Sequence, residues 1–193
     1  MRRRERREQI LRAARGCFEV EGFRGASMAS VAAKAGMSVG HIYHYFEGKD
    51  CIVAEVIRDD LEACLATLCH AGSPAQFVAA MLTAVRRGEQ ASCGDESLSA
   101  ALRADIMAEA GRNPLVADLV AETEEKCRRH LLALLPNEQQ ELSTTDVHRV
   151  AAVEVVLALW RGLLIRSAEP GSRQAASALH TALARLFEPV TPS

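Results

Sequence analysis

The chain has 193 residues, of which 49% are hydrophobic and 25% charged, with twelve glycines and six prolines. This composition is typical of a globular protein and excludes collagen-like, disordered and disulfide-scaffold proteins. The net charge of −2 is unevenly distributed: residues 1–50 carry ten Lys or Arg against six Asp or Glu, whereas residues 51–193 carry thirteen against nineteen. A basic segment on an acidic body predicts that the first fifty residues face an anion such as DNA phosphate, unless they form a solvated arm.

Helical periodicity, interrupted by glycine, serine and proline, divides the chain into nine predicted helices and no strand, which predicts an all-α protein. The first helix covers about residues 4–20 and ends at Gly22, the second follows the N-cap Ser27 and ends at Gly36, and the third runs from Ser38 to about Phe46. The later helices are predicted at about residues 49–70, 74–90, 97–110, 114–135 and 146–168, with a last helix ending near residue 187. We expect a small head of residues 1–48 and a larger helical body of residues 49–193.

The six cysteines include no CxxC pair, and most lie on the apolar sides of predicted helices. They are interpreted as core residues in a reducing compartment, with a redox role near Cys64 and Cys69 as the alternative. No metal site or cofactor is predicted. Neither a secretory signal nor a membrane span is predicted, so we expect a cytoplasmic protein.

Two short helices joined by Gly36-Met37-Ser38 have the size and spacing of a helix-turn-helix. The second helix carries four polar or aromatic side chains suited to base edges and phosphates: His41, Tyr43, His44 and Tyr45. Spacing alone leaves a purely structural three-helix cluster as the alternative.

Residues at fixed spacing extend through the first sixty positions. They are Ile10-Leu11, Ala13-Ala14, Phe18, Gly22-Phe23, Ser27, Val31-Ala32, Ala35-Gly36-Met37-Ser38, Gly40, Ile42-Tyr43-His44-Tyr45-Phe46 and Lys49-Asp50. This pattern resembles the DNA-binding domain of TetR-family transcriptional regulators. Residues 106–114 show a weaker similarity to a subgroup that includes repressors of glucuronide-utilisation and choline-betaine genes.

The resemblance implies a ligand-responsive DNA-binding regulator, expected to be a repressor, and assigns roles to individual residues. Ser27 is expected to bind phosphate at the start of its helix. Backbone contacts are expected from Tyr43, Tyr45 and Lys49, and base contacts from Val39, Gly40, His41 and His44, with Ala29 as an outlying contact. Met28 and Ser38 complete the predicted DNA-binding set. Val39 and His41 depart from the residues usual in the family, so the operator sequence does not transfer.

The body carries no comparable motif. The helix around residues 150–165 is apolar on nearly all sides, and the last helix has a wide leucine and alanine stripe, which favour a two-fold interface over a purely intramolecular bundle. The predicted interface residues are Val156, Leu163, Leu179, Ala182, Leu183 and Leu186. The predicted effector pocket, with ordinary core packing as the alternative, comprises Leu61, Cys64, Leu68, Phe77, Met81, Met107, Trp160 and Leu164.

The sequence contains no catalytic motif, so we do not expect an enzyme. The expected partners are a double-stranded DNA operator, a small effector of unknown identity and a second copy of the chain. An architectural or division-control protein that binds DNA without an effector is the alternative function.

Overall fold

The computed structural model describes residues 2–90, 98–135 and 145–166, and every regular element in these ranges is an α-helix. The eight helices of these ranges are α1 (Arg2–Gly25), α2 (Met28–Ala35), α3 (Val39–Tyr43), α4 (Lys49–Cys69), α5 (Pro74–Gln90), α6 (Ala100–Ala110), α7 (Pro114–Leu134) and α8 (Thr145–Arg166). The predicted all-α class is therefore confirmed. The predicted last helix lies outside the described residues.

Local capping fixes the helix-turn-helix. The Ser27 hydroxyl accepts a hydrogen bond from the amide of Ser30 at 3.0 Å, and the Ser38 hydroxyl accepts one from the amide of His41 at 3.2 Å. Gly36 ends α2 in the left-handed conformation, with φ 65°, a region where a side chain would be strained. Both predicted N-caps and the predicted stop at Gly36 are confirmed.

Three helix ends differ from the predictions. The backbone leaves the helical conformation at Gly22, as predicted, with φ 70° and ψ 169°, but one further turn follows and α1 ends at Gly25. Helix α3 ends at Tyr43 rather than near Phe46, because the amide of Tyr45 donates to the carbonyl of Ile42, three residues back, which tightens the last turn. Helix α6 begins at Ala100 rather than near residue 97, because Ser99 caps it.

The buried apolar side chains form two clusters. The first joins α1, α2 and α3 to the N-terminal half of α4, to α6 and to the start of α7. The second joins the C-terminal end of α4 to α5, α7 and α8. Helix α4 therefore passes through both cores, and the side-chain packing divides within α4. The boundary expected at residue 48 stays a prediction.

A buried ion pair lies where α4 meets α6. The Arg103 guanidinium donates to both Asp60 carboxylate oxygens, at 2.9 and 2.7 Å, and the two side chains are 4% and 3% exposed. The amide of Leu98 also donates to Asp60, at 3.1 Å. These bonds compensate the loss of solvation, so the pair holds α6 on α4.

Two further polar contacts join the residues on either side of α6 to α1 and to the start of α4. The amide of Ser99 donates to the Glu19 carboxylate of α1 at 2.9 Å. The side-chain amide of the buried Asn113 donates to the carbonyl of Asp50, near the start of α4, at 3.2 Å.

Among the helices in the described parts of the chain, none combines the length and the hydropathy that a membrane span requires.

Candidate nucleic-acid interface

Helix α3 presents a polar face to solvent and an apolar face to the core. Ile42 is fully buried, and Phe46 anchors the following turn in the same core. On the outer side His41 and His44 are exposed, and Tyr43 is 52% exposed. Such exposure of a large aromatic ring on a five-residue helix leaves it available to a partner.

The predicted DNA-binding residues lie on α2, on α3, in the turns beside them and at the start of α4. Those exposed to solvent are Ser27, Ala29, Ser38, Gly40, His41, Tyr43 and His44. Those half-buried are Met28, Val39, Tyr45 and Lys49; the first three also pack against the first core. The fold thus places the set on two neighbouring helices, in their turns and on the first residue of α4.

The aromatic rings of α3 and of the turn that follows it pack on one another. The rings of His41 and Tyr45 are stacked, with centroids 5.6 Å apart and planes 14° apart, and His44 meets His41 edge-on at 6.2 Å. The stack restricts rotation of the His41 ring before any partner binds. Imidazole nitrogen atoms can donate to or accept from base edges.

The start of α2 combines a satisfied cap with a positive dipole end. The Ser27 hydroxyl caps Ser30, and the Ser30 hydroxyl in turn accepts from the amide of Ser27 at 2.9 Å. This reciprocal pair fixes the first turn, whose exposed N-terminus attracts an anion such as phosphate.

Lys49 makes two hydrogen bonds within the protein that the sequence pattern does not indicate. Its ammonium donates to the carbonyls of Arg24 and Ala26, at 3.1 and 3.0 Å, and so fixes the loop that leads into α2. An ammonium has three N–H groups, so one remains for a phosphate.

The arginines at the N-terminus lie on a helix rather than in an irregular arm. Arg4 pairs with Glu8 at 2.9 Å, and Arg6 donates to Gln9 at 2.8 Å, both along the exposed surface of α1. Gln9 in turn donates to the carbonyl of Ala35 at the end of α2. Helix α1 therefore supports the helix-turn-helix from behind.

Arg7 is half-buried, unlike the exposed Arg4 and Arg6. Its guanidinium lies 4.5 Å from the centre of the Phe46 ring, pairs with Glu55 of α4 at 3.0 Å and donates to the carbonyl of Tyr45 at 3.4 Å. Arg4 and Arg7 are only three residues apart on α1, so no local signal in the sequence distinguishes their partners.

The predicted pocket residues are divided between the two cores and the surface. Leu61 packs on the first core, whereas Leu68, Phe77, Met81 and Trp160 belong to the second. Met107 is 37% exposed on α6. Cys64 is buried on α4, and the side chain of Leu164 lies outside the described residues.

Two cysteines of the body, the buried Cys127 and the exposed Cys69, have a raised thiol pKa. Cys127 is buried in the second core, and burial, followed by the nearby Cys69 and Cys64, raises its pKa from 9.0 to about 12. Burial also raises the pKa of Cys69. A protonated thiol is a weak nucleophile, so these groups are poorly suited to redox chemistry at neutral pH.

Within the described ranges, no group of three or more His, Cys, Asp or Glu is arranged to hold a metal ion.

Of the predicted interface residues, only Val156 on α8 has a described side chain, and it faces the second core. Val156 is 0% exposed and packs in the second core, whereas Val155 is 44% exposed. Ala151 and Ala158 are exposed beside it, at helical spacing, so the outward stripe of α8 runs through Val155. The side chain of Leu163, together with Leu179, Ala182, Leu183 and Leu186, lies outside the described residues.

A protein-family model matches the N-terminal part of the chain. The family model described as bacterial regulatory proteins, tetR family, matches residues 10–56. These residues comprise most of α1, the helix-turn-helix and the first turns of α4.

Relatives extend the similarity to the body. The HTH-type transcriptional regulator UidR of Escherichia coli is 30% identical over 160 residues, which cover 82% of this chain and 79% of that protein. The structure of Salmonella enterica GusR is 27% identical, covers 95% of each chain and superposes with a TM-score of 0.67. The HTH-type transcriptional repressor AcnR of Corynebacterium jeikeium is 39% identical over 57 residues, or 30% of each chain.

Proposed function

Because this chain belongs to the tetR family of bacterial regulatory proteins, we propose that it is a homodimeric repressor that releases a palindromic operator when a small molecule binds. Family membership makes the chain a DNA-binding transcriptional regulator and not an enzyme. The dimer, the repression, the effector and the cytoplasmic location are the proposal.

The observation that carries the proposal is the outer face of α3. His41 is held by its stack on Tyr45, while Tyr43 and His44 extend into solvent. A short helix with a fixed polar face, anchored from behind by Ile42, has the form needed to enter a major groove. Phosphate contacts from Lys49 and from the start of α2 would set its register.

The dimer is supported by the outward stripe of α8. Val155, Ala151 and Ala158 form an exposed surface of small apolar side chains at helical spacing, which favours close packing of a second helix. A two-fold dimer would present two α3 helices to half-sites about 34 Å apart, one turn of B-DNA.

The effector site is proposed within the second core, beside Trp160. This ring is half-buried and packs against that core without being sealed in it. An effector bound there would displace the C-terminal part of α4, and the same helix carries the head at its other end. Binding would favour a head spacing that no longer fits the two half-sites.

The first experiment selects duplexes from a random double-stranded library with the purified full-length chain. We expect an inverted repeat, and His44→Ala should weaken binding to it by about tenfold, the effect of one lost base contact. Tyr43→Phe should weaken binding less, because it removes only the hydroxyl. The proposal would be contradicted if the chain selected no sequence above the library background. It would also be contradicted if both variants bound the selected duplex as tightly as the wild type.

The dimer is tested by sedimentation of Val155→Asp. A charge in the middle of an apolar interface should convert the dimer to monomers, whereas Val20→Asp, on the 76% exposed Val20 of α1, should leave it intact. If the two variants sedimented alike, the interface would lie elsewhere than at Val155.

The effector is sought through Trp160, the single tryptophan of the sequence. A small-molecule library is screened for changes in its fluorescence, and each hit is added to the complex with the selected duplex. We expect at least one hit to release the DNA. A compound that releases the DNA without changing the Trp160 fluorescence would exclude an effector site beside Trp160. A comprehensive screen in which no compound releases the DNA would favour an architectural DNA-binding role.

A further inference from the structure

Helix α3 depends on contacts with other elements for its position. It contains five residues and ends in a tightened turn, so it cannot be stable without tertiary contacts. Ile42 and Phe46 fix its inner side in the first core. The turn that follows it, which carries Tyr45, needs a partner for its carbonyl groups.

Arg7 supplies this partner from α1. The guanidinium donates to the carbonyl of Tyr45 at 3.4 Å, which is long for a hydrogen bond, and lies 4.5 Å from the centre of the Phe46 ring. The cation–π contact therefore provides a second attachment to the same turn. A positive charge at this end also suits the helix dipole.

The other side of Arg7 is attached to α4. Glu55 pairs with Arg7 at 3.0 Å and accepts from Arg58, one turn further along α4, at 2.5 Å. The contacts thus run from Glu55 through Arg7 to Tyr45, and from the Tyr45 ring to the stacked His41. A movement of α4 displaces Glu55 and with it the turn on which His41 rests.

We propose that Arg7 is a positioning residue for DNA reading: it holds the turn of Tyr45 and Phe46 against Glu55, and thereby fixes the orientation of His41 and links α3 to α4. This inference rests on the DNA-reading role of α3 proposed above. Arg7 acts through Tyr45 and does not itself contact DNA. Its loss therefore reduces discrimination between DNA sequences more than general affinity for DNA.

The test compares Arg7→Gln and Arg7→Lys with the control Arg58→Gln. Arg58 donates to the same Glu55 carboxylate from within α4, so the control removes an equal charge from the same acid without touching the turn after α3. The probes are the duplex selected by the wild-type chain and a scrambled duplex of equal length. Affinities are measured across a salt series, at a temperature where circular dichroism shows each variant folded.

For Arg7→Gln we expect affinity for the selected duplex to fall about tenfold, as for one lost charge-assisted contact, while affinity for the scrambled duplex changes less than about twofold. The salt dependence should stay unchanged, since each lost phosphate contact would reduce its slope by about 0.9. Arg7→Lys should lose most of the discrimination as well, because an ammonium cannot span Glu55 and the Tyr45 carbonyl as a planar guanidinium does. Arg58→Gln should retain it.

A second measurement follows the His41 ring protons by NMR in the free protein. In the wild type the Tyr45 ring shifts these resonances, and in Arg7→Gln they should move toward their positions in Tyr45→Leu. If Arg7→Gln does not fold, the same comparison is made with Arg7→Lys.

Three results would overturn the inference. They are equal weakening on both duplexes with a reduced salt slope, which indicates a direct phosphate contact; unchanged discrimination; and unchanged His41 resonances. These results leave the proposed function standing. A wild-type chain that prefers no duplex over the scrambled one overturns the proposed function, and the inference with it.

Discussion

The outer face of α3 and the junction of α4 with α6 use polar side chains in opposite ways. In the first region, His41 and His44 are exposed, and the His41 ring contacts the rings of His44 and Tyr45 just after the helix. At the junction, Asp60 and Arg103 are buried and bonded to one another from different helices. Removing a side chain from the first region should weaken DNA binding at little cost in unfolding free energy. Removing one from the second should lower the unfolding free energy with little direct effect on DNA binding.

The largest expected effect is that of Asp60→Asn. The change removes the Asp60 charge that faces the buried Arg103 guanidinium, which costs about 3–5 kcal/mol of unfolding free energy. Urea unfolding measures the loss, with Glu62→Gln, on the exposed side of α4, as the control expected within about 0.5 kcal/mol. Equal midpoints for the two variants would show that the pair does not stabilise the fold.

The next effect is that of Gly36→Ala, in the turn between α2 and α3. A Cβ atom there meets no other atom within 4 Å, so the cost comes from the backbone alone, whose φ is 65°. We expect a loss of about 1–2 kcal/mol, the strain of a left-handed non-glycine residue, measured by thermal unfolding. An unaltered melting temperature would mean that the turn relaxes to another conformation.

The smallest effect, and the one of opposite sign, is expected for Gly40→Ala within α3. This glycine also has open space around it but lies inside a helix, so alanine should stabilise the fold by about 0.5–1 kcal/mol. The added methyl group stands on the face proposed to enter the groove, so binding to the selected duplex should weaken. A variant that is more stable and binds normally would exclude close approach of Gly40 to DNA.

Local signals in the sequence account for much of the helix-turn-helix. Ser27, Ser38 and Gly36 act through bonds and dihedral angles within a few residues, so their roles can be predicted without the fold. The resemblance added roles for residues such as Lys49, and these roles stay predictions. The structure adds only that the Lys49 ammonium also binds two loop carbonyls.

Contacts between distant residues were not predictable in this way. Asp60 and Arg103 are 43 positions apart, and Arg7 and the carbonyl of Tyr45 are 38 apart. The orientation of Val155 and Val156 was not predictable for another reason. Helix α8 is apolar on most sides, so periodicity does not determine which valine faces inward.

The first core has a consequence for recombining such proteins. Leu102 and Ile106 of α6 complete a cluster that begins with Ile10 of α1, so an apolar surface of the head is covered by residues nearly a hundred positions away in sequence. A chimera that takes only residues 1–48 from one regulator and the rest from another would create a mismatched seam through this core. Exchange of DNA specificity between relatives should therefore graft the outer residues of α3 alone, or transfer α1 to α4 together with the facing side of α6.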